Sequence, residues 1–334
     1  MSPRLQDVIR LVAWGYLAMA VAAAITIWGF GDRSVLPTTL LYGPRWVLLV
    51  PAAPLALLGL MVMPKLLGPV TLSALLILGP VMGGRTGWRG WFAAGRGDLR
   101  VVTFNLDASQ NPIIPQVPAA LAVLQPDIIV VQECSDEFVN AAGSLPGWLA
   151  RRDGSLCLMT RFRVDSAEEM ETVRTRDQGG TGNAVRYRLD SPQGALTVVN
   201  VHLETPGKGL APLRYGGSSS ELTLNILVRD AGSSRTRRWA LADGQDLLVA
   251  GDFNLVVESA IYRDHWSGCT NAFSRVGRGF GYTRVLKRFS ARIDHVLSCG
   301  TGWKPVRAVV GPDLGSDHRP MVVDLRRRGR WEAR

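Results

Sequence analysis

Six short apolar runs in this 334-residue chain are each closed or followed by residues that could bind a cation or move a proton. Such runs are typical of buried strands, so the polar groups are predicted at strand ends. Carboxylate and amide oxygens suit hard divalent cations, and an Asp paired with a His suits proton transfer. The clusters are 103–106 (TFNL), 132–133 (QE), 200–203 (NVHL), 251–254 (GDFN), 292–295 (RIDH) and 316–320 (SDHRP).

A single Gly-Asp-Phe-Asn would be a weak signal, because Asp and Asn are common turn residues after a strand. Six clusters in this order and spacing resemble the endonuclease/exonuclease/phosphatase superfamily, which includes deoxyribonucleases, abasic-site endonucleases and neutral sphingomyelinases. The resemblance covers residues 98–325. It implies a phosphoric ester hydrolase that acts with Mg²⁺ or Mn²⁺.

The resemblance also implies roles for individual residues. Glu133, with help from Asn105 and Asp317, is expected to hold the metal ion through oxygen ligands. Asp252 and Asn254 are expected to orient and deprotonate the attacking water.

Three further residues are expected to lie around the phosphate group of the substrate. His202 is expected to donate to a phosphate oxygen, and Asp294 to hold His318 and favour its imidazolium form. Whether His318 serves as a base or as an electrostatic stabiliser stays open. His295 follows Asp294 directly and should point to the other face of an extended strand, so it is predicted to be structural.

The order of predicted elements favours an α/β fold. Many strands, few helices and no sustained βαβ repeat indicate two packed sheets flanked by helices. The resemblance implies a four-layer α/β sandwich of two mixed sheets, here preceded by an N-terminal helical transmembrane segment. Residues 221–242 are predicted as a helix interrupted near Gly232, and residues 207–220 as a Gly/Ser-rich loop.

Composition divides the chain in two. The formal net charge of +10 splits into +6 for residues 1–97 and +4 for the rest. Five arginines of the second part follow the last predicted strand, so the charge argues only weakly for a polyanionic partner. The predicted domains are a membrane anchor (1–97, ending in a linker over 83–97), a catalytic domain (98–326) and a basic tail (327–334).

Three uncharged stretches favour a multi-pass membrane anchor. Residues 11–30 are long enough to span a bilayer, and 46–63 and 66–82 are near the lower limit. A cleaved signal peptide is the alternative for the first, and a re-entrant hairpin for the other two. With three spans, the basic residues slightly favour a cytoplasmic catalytic domain. Arg4, Arg10 and Lys65 would face one side, and Arg33, Arg45, Arg85, Arg89, Arg96 and Arg100 the other.

The four cysteines are scattered singly, without the spacing of a zinc or redox site. They are predicted to be small buried hydrophobic residues that leave the compartment open. They are Cys134, Cys157, Cys269 and Cys299.

The predicted partners are the lipid bilayer and a phosphate-ester substrate, with no obligate protein partner. A nuclease-like phosphodiesterase is the first expectation. A sphingomyelinase-like phospholipid diesterase or a phosphomonoesterase is the alternative within the enzyme class. Outside it, the alternative is an inactive, membrane-tethered binding module, which would be expected to have lost one of the catalytic side chains.

Overall fold

The structure, a computed structural model, describes residues 2–90, 95–171, 182–244, 246–286 and 289–328, without the side chain of Arg214. By its internal contacts the chain forms two units. The first comprises Met1–Arg85 with Glu258–Ala260, and the second Thr86–Val257 with Ile261–Arg334. The predicted linker and basic tail lie partly outside the described residues.

The first unit is built of apolar helices. They are α1 (Pro3–Phe30), α2 (Val35–Leu41), α3 (Ala52–Met61) and α4 (Leu67–Leu76). The continuous helical stretches Pro3–Phe30 and Pro64–Val81 are long and apolar enough to cross a membrane, by length and composition only. Val35–Leu41 and Arg45–Met61 meet at 81° and would make a third span if counted as one. The second predicted span, residues 46–63, corresponds to Arg45–Met61, one part of this bent pair.

The second unit begins with an alternation of strands and helices. Its first elements are β1 (Leu99–Asn105), α5 (Val117–Val123), β2 (Ile128–Gln132), α6 (Asp136–Gly143), β3 (Leu149–Asp153), β4 (Leu156–Thr160), β5 (Arg163–Glu169), β6 (Asn183–Ser191), β7 (Gly194–His202), α7 (Gly207–Arg214) and α8 (Ser219–Ala240). Then follow β8 (Leu247–Asp252), α9 (Ala260–Trp266), β9 (Thr270–Asn271), α10 (Ala272–Val276), β10 (Arg284–Leu286), β11 (Phe289–Ala291), β12 (Asp294–Cys299), β13 (Trp303–Val310) and β14 (Met321–Arg327).

Two six-stranded mixed sheets form the centre of this unit. The first has the order β13-β14-β1-β2-β4-β3 and the second β5-β6-β7-β8-β12-β9. The pairs β1/β2 and β7/β8 are parallel, and the other pairs in these sheets are antiparallel. Strands β10 and β11 form a separate hairpin.

The main core lies between the two sheets. Leu99, Ile128 and Leu158 of the first sheet pack there with Tyr187 and Val198 of the second. The opposite face of the first sheet packs against α5 and α6, and α8 contacts β6 of the second sheet. The predicted sandwich of two mixed sheets flanked by helices is confirmed.

Two predictions about helices were wrong. Residues 207–214 form α7 rather than an irregular loop, and α8 runs through Gly232 without a break. Helix α8 continues through this segment because it packs against α9. There the hydroxyl of the small, buried Ser233 accepts a hydrogen bond from Trp266 Nε1 at 2.8 Å. Packing against a neighbouring helix outweighs the low helix propensity of this segment.

The four cysteines are buried, as predicted, but the sequence did not show that they form disulfides. Cys134 is bonded to Cys157 and Cys269 to Cys299, with Cα separations of 5.9 and 4.4 Å. Strand pairing brings each pair together, because β2 pairs with β4 and β9 with β12. Residue spacing along the chain does not show such neighbours.

Candidate active site

Five strands bring polar side chains to one edge of the two sheets. Asn105 ends β1, and Glu133 follows the neighbouring parallel strand β2. His202 and Asp252 end the parallel strands β7 and β8 and lie opposite each other in the register. Asp294 begins β12 and lies opposite Asp252. Parallel neighbours end at the same edge of a sheet, which is why the polar residues after these apolar runs meet.

Asn105 connects the two sheets at this edge. Its Nδ2 donates to Glu133 Oε1 at 2.9 Å and to Asp252 Oδ2 at 3.0 Å. Its Oδ1 accepts from the backbone N–H of Asp107 at 3.0 Å, which fixes the orientation of the amide. The amide therefore holds two carboxylates at a fixed distance from each other.

Backbone geometry at the site is unusual at Glu133 and Asn254, where φ is 51° and 50°. Left-handed backbone is uncommon for residues other than glycine and is often found at functional sites. Gly251 allows the close approach of β7 and β8, because an added Cβ would overlap the carbonyl oxygen of Val201.

Asp252 is fully buried in a polar cage. Its Oδ1 accepts from the backbone N–H of Asn254 at 2.8 Å, and its Oδ2 accepts from the Asn254 side chain at 3.3 Å. Burial and the charge of Asp294 raise the pKa of Asp252, while His318, His202 and Asn105 oppose that rise. A carboxylate with a raised pKa accepts a proton more readily than a solvent-exposed one.

His318 lies between two carboxylates. Its Nδ1 is 2.8 Å from Asp294 Oδ2, and its Nε2 is 3.8 Å from Asp252 Oδ2. Burial by itself lowers the pKa of His318, but the charges of Asp294 and Asp252 and the hydrogen bond to Asp294 raise it to about 9. The imidazole is therefore positively charged at neutral pH.

Asp294 is held at the start of β12 by its backbone and by one of its carboxylate oxygens, which pairs with His318. Its backbone N–H donates to Thr283 Oγ1 at 3.1 Å, and its Oδ1 is buried without a hydrogen-bond partner among the described residues. Such an orphaned carboxylate oxygen is rare in a protein interior and favours a missing cationic or donor group nearby.

His202 lies on the solvent side of the buried carboxylates. Its Nε2 is 3.7 Å from Glu133 Oε1 and 3.8 Å from Asp252 Oδ2, and its side chain is 20% exposed. Glu133 is more open, with 41% of its side chain exposed. These two side chains line the mouth of the site, and Asp252 lies at its base.

Asp317 differs from the other acidic residues at the site. Its Oδ2 accepts from Arg284 Nη2 at 2.9 Å, and its Oδ1 lies 3.7 Å from His318 Nε2. One of its two oxygens is therefore already paired with a guanidinium. Its other oxygen faces the imidazole of His318, the next residue in the chain.

One group of three His, Cys, Asp or Glu residues among those described has ligand atoms within 4.8 Å of one another. It consists of Asp252, Asp294 and His318. Sequence reasoning places these three in the catalytic set and the metal at Asn105, Glu133 and Asp317. Within this group His318 Nδ1 is hydrogen-bonded to Asp294 Oδ2, and its Nε2 faces Asp252.

Two polar residues of the sequence clusters lie in the interior and not at the site. Gln132 Nε2 donates to Asn200 Oδ1 at 2.7 Å, and Asn200 Nδ2 donates to the carbonyl of Val131 at 3.0 Å. These bonds join β2 of one sheet to β7 of the other through the core. A buried polar network of this kind fixes how the sheets are aligned.

His295 points away from the site, as predicted. Its Nε2 donates to the carbonyl of Leu255 at 2.8 Å, and its Nδ1 accepts from Asn271 at 3.2 Å. Burial and the charge of Arg292 lower the pKa of His295 to about 4. It is a neutral packing residue beside Phe253.

Sequence reasoning did not single out Arg284, Thr283 or the role of the Ser316 hydroxyl, which donates to the carbonyl of Asn105 at 2.8 Å. Arg284 and Thr283 come from a segment with no strong periodicity. Neither residue belongs to an apolar run or a polar cluster that would have marked it in the sequence.

The arrangement combines groups of the kinds that hydrolysis of a phosphate ester requires. It offers a buried carboxylate with a raised pKa, a buried imidazolium and a partly exposed carboxylate. Cleavage of a phosphate ester needs an oriented water, neutralisation of the phosphoryl charge and stabilisation of the transition state. The geometry is compatible with each of these.

A known protein family matches the part of the chain that forms the two sheets. The model of the Endonuclease/Exonuclease/phosphatase family matches residues 102–318. A search of curated proteins finds no match.

Solved structures share the fold at low sequence identity. An endonuclease/exonuclease/phosphatase family protein from Bacteroides thetaiotaomicron has a TM-score of 0.51 and 15% identity, over 68% of this chain and 94% of that one. A 3'-5' exonuclease from Neisseria meningitidis has a TM-score of 0.51 and 18% identity, over 68% and 100%. Humanized D. rerio TDP2 has a TM-score of 0.50 and 16% identity, over 68% and 98%.

The family match covers more than half of the chain and includes every residue of the site from Asn105 to His318. The chain therefore belongs to the endonuclease/exonuclease/phosphatase family and is a phosphoesterase of that family.

Proposed function

We propose that this protein is a membrane-anchored, divalent-metal-dependent phosphodiesterase. One observation carries the proposal. The buried group of Asp252, Asp294 and His318 is joined through Asn105 to Glu133, a carboxylate open to solvent. This combination puts a base, an imidazolium and a cation ligand around one small volume.

The side chains at the mouth fit Mg²⁺ or Mn²⁺. Glu133 is a partly exposed carboxylate, and Mg²⁺ is usually held by one or two carboxylates together with waters and substrate phosphate. All four cysteines are in disulfides, which disfavours a thiolate zinc site. When bound, the ion would supply charge neutralisation at the phosphoryl oxygens.

We assign the cation to Glu133 and a supporting role to Asn105. The amide oxygen of Asn105 already accepts from Asp107 N–H, so its Nδ2 is the group that faces the carboxylates. Asp317 Oδ2 is paired with Arg284 Nη2, and we infer that this ion pair, and not the metal, is the main role of Asp317.

Each of the remaining side chains of the site has a separate role in the proposed reaction. Asp252, with its raised pKa and its bonds from Asn254, orients and deprotonates the attacking water. His318 is held as an imidazolium by Asp294 and stabilises the negative charge that develops on the phosphoryl group. His202, at the mouth, donates to a phosphate oxygen.

A nuclease-like diester is our first substrate class. A second candidate, a phospholipid diester, is favoured by one specific observation, the apolar helices Pro3–Phe30 and Pro64–Val81. A bilayer anchor would keep the catalytic unit close to lipid headgroups. The inactive binding module is disfavoured, because Glu133, Asp252, Asp294 and His318 are all present.

A hydrolysis screen tests the activity. Full-length protein in detergent should hydrolyse at least one of DNA, RNA, sphingomyelin, bis-p-nitrophenyl phosphate or p-nitrophenyl phosphate when Mg²⁺ or Mn²⁺ is added. Asp252→Asn should be inactive, and Asp190→Asn, a change of an exposed carboxylate, should be as active as wild type. No turnover of any of these by wild type would contradict the proposal.

Three spans remain our proposal for the anchor, with the bent pair Val35–Leu41 and Arg45–Met61 as the second. Full-length protein should stay in the membrane pellet after carbonate treatment. A chain of residues 97–334 should be soluble and folded. Release by carbonate would contradict the anchor, and failure of the shorter chain to fold would assign the N-terminal helices to its core.

The two disulfides bear on the side of the membrane. Disulfides persist in oxidising compartments and are rare in the cytosol of most organisms. Both lie in the catalytic unit and use all four cysteines. We therefore propose that this unit faces the oxidising, non-cytoplasmic side, against the slight preference of the Lys/Arg distribution. With three spans, Arg4, Arg10 and Lys65 would then be cytoplasmic.

Reporter fusions test this orientation. A C-terminal alkaline phosphatase fusion, which needs an oxidising compartment, should be active, and a C-terminal fluorescent protein that matures only in the cytosol should be dark. The reverse pattern, or four free thiols in the protein purified under alkylating conditions, would contradict the proposal.

A further inference from the structure

We propose that Arg284 is a substrate-binding residue of this site and that Asp317 is the positioning residue that holds its guanidinium in place. The bound group would be a phosphoryl oxygen of the substrate. This inference rests on the proposed phosphoesterase function and deepens it, because it adds a permanent cation to a site whose other charged groups are carboxylates and histidines.

The backbone around Arg284 is fixed between two segments of the site. Arg284 forms a bridge with His318, and the N–H of Val285 donates to the carbonyl of Asp317 at 3.0 Å. The N–H of Arg319 donates to the carbonyl of Thr283 at 2.7 Å. Thr283 is also the residue whose hydroxyl accepts from Asp294 N–H. These bonds fix the backbone of Arg284 beside Asp317 and His318.

The side chain of Arg284 points to the same small volume. Its Nη2 is 2.9 Å from Asp317 Oδ2, and the other oxygen of Asp317 is 3.7 Å from His318 Nε2. The guanidinium is thus separated from the catalytic imidazole by one carboxylate group. The Arg284 side chain is 31% exposed, so a ligand can reach it from solvent.

Arg284 also has unused hydrogen-bonding capacity. Its Nε is buried and has no hydrogen-bond partner among the described residues. A guanidinium has five N–H donors in a planar fork that matches phosphate oxygens. An ion pair with Asp317 uses part of this fork and leaves the remainder for a ligand.

Charge balance supports the same assignment. Glu133, Asp252, Asp294 and Asp317 gather at the site, and an anionic phosphate must approach them. Arg284 supplies a fixed positive charge at the rim, since arginine stays protonated in proteins. The bridge to His318 and the ion pair with Asp317 place this charge beside the His318 imidazole.

The test uses full-length protein in detergent and inorganic phosphate as the probe. Phosphate binding is measured without turnover by calorimetry, and kcat, KM and the Mg²⁺ concentration for half-activation are measured with bis-p-nitrophenyl phosphate. The variants are Arg284→Ala, Arg284→Lys, Asp317→Asn and the double variant. Arg319→Ala is the matched control, because Arg319 is a nearby arginine paired with an exposed Asp313.

We expect Arg284→Ala to weaken phosphate binding and raise KM by about tenfold to a hundredfold, the usual range for a hydrogen bond to a charged group. The Mg²⁺ requirement should not change. Arg284→Lys should restore part of the affinity, Asp317→Asn should show a smaller defect of the same kind, and the double variant should be no worse than Arg284→Ala. Arg319→Ala should match wild type.

Two results would overturn the inference. One is unchanged phosphate affinity and KM in Arg284→Ala. The other is a raised Mg²⁺ requirement in Asp317→Asn with normal phosphate affinity, which would make Asp317 a metal ligand. Arg284-dependent phosphate binding by a wild type that hydrolyses nothing would support the inference while contradicting the proposed activity, so the two can fail separately.

Discussion

The imidazole Nδ1 of His318 lies 2.8 Å from Oδ2 of Asp294, and both side chains are almost completely buried. A buried pair with this geometry keeps its orientation without solvent competition, and the carboxylate favours the charged imidazole. We therefore expect the pair to act as one electrostatic unit, whose imidazole Nε2 faces Asp252 at 3.8 Å. This relationship leads to the first two predictions.

Removing either member of the pair should lower kcat by a similar factor. We expect Asp294→Ala and His318→Ala each to lower kcat by roughly 10²-fold or more, with a smaller change in KM. The double variant should be little worse than His318→Ala alone, because groups that act as a unit are not additive. Steady-state kinetics of wild type, the two single variants and the double variant measures this double-mutant cycle. If the losses in kcat multiply fully, the two residues act independently, which would contradict the prediction.

The pKa of His318 predicts how stability depends on pH. It is about 6.5 for an unfolded histidine and about 9 in the folded protein. The folded state binds this proton more tightly, so the stabilisation is fully present below pH 6.5 and is lost as the pH rises through 9. The full effect is about 3 kcal/mol.

Denaturant unfolding of residues 97–334 in EDTA, at pH 6 and pH 10, measures this loss. His318→Gln should have a lower free energy of unfolding than wild type at pH 6. Between pH 6 and pH 10 its free energy of unfolding should decline much less than that of wild type. His265→Gln is the control, because His265 pairs with Asp230 on the surface away from the site. A decline in His318→Gln as steep as in wild type would assign the pH dependence to other groups.

Glu133→Gln should raise the Mg²⁺ concentration needed for half-activation by tenfold or more, because an amide replaces the carboxylate that anchors the ion. EDTA should abolish wild-type activity, and Mg²⁺ or Mn²⁺ should restore it without zinc. Glu137→Gln, a change of an exposed acid in the first turn of α6, should match wild type. Activity that survives EDTA would remove the metal from the mechanism.

The two disulfides should differ in their effect on catalysis. They close loops with sequence separations of 23 and 30, so loss of either should lower the free energy of unfolding by about 3 kcal/mol. Cys134 directly follows Glu133, so the double change Cys134→Ser with Cys157→Ser should also raise the Mg²⁺ requirement.

The double change Cys269→Ser with Cys299→Ser is the matched comparison. It should destabilise the protein to a similar extent and leave the Mg²⁺ requirement of the remaining folded protein unchanged. Denaturant unfolding and metal titrations of both variants measure the two effects. Equal Mg²⁺ requirements would show that the first disulfide does not position Glu133.

The sequence by itself determined the interior strands and the residues at their ends. Strands β1, β2, β7, β8 and β12 are apolar on both faces because each lies in the middle of a sheet, and this burial is visible as a run of hydrophobic residues. Polar residues at the ends of such runs stand out. The family and the sandwich of two sheets followed from these clusters.

The edge strands β3 and β5 and the short strands β9, β10 and β11 were not predicted. β3 and β5 lie at sheet edges and carry charged residues, as in Arg151 and Glu168, because one side faces solvent. Without a hydrophobic run they resemble loops. The hairpin of β10 and β11, which holds Arg284 at the site, is three residues long in each strand and gave no signal at all.

Only the tertiary structure decided which side chains touch. The direction of the Asn105 amide depends on the backbone N–H of Asp107, and the pairing of Asp317 with Arg284 depends on the bridge between Arg284 and His318. Both disulfides depend on which strands are neighbours in the sheets. Residue types and spacing specify what each strand end can do, but contacts between residues far apart in the chain arise only when the sheets have packed.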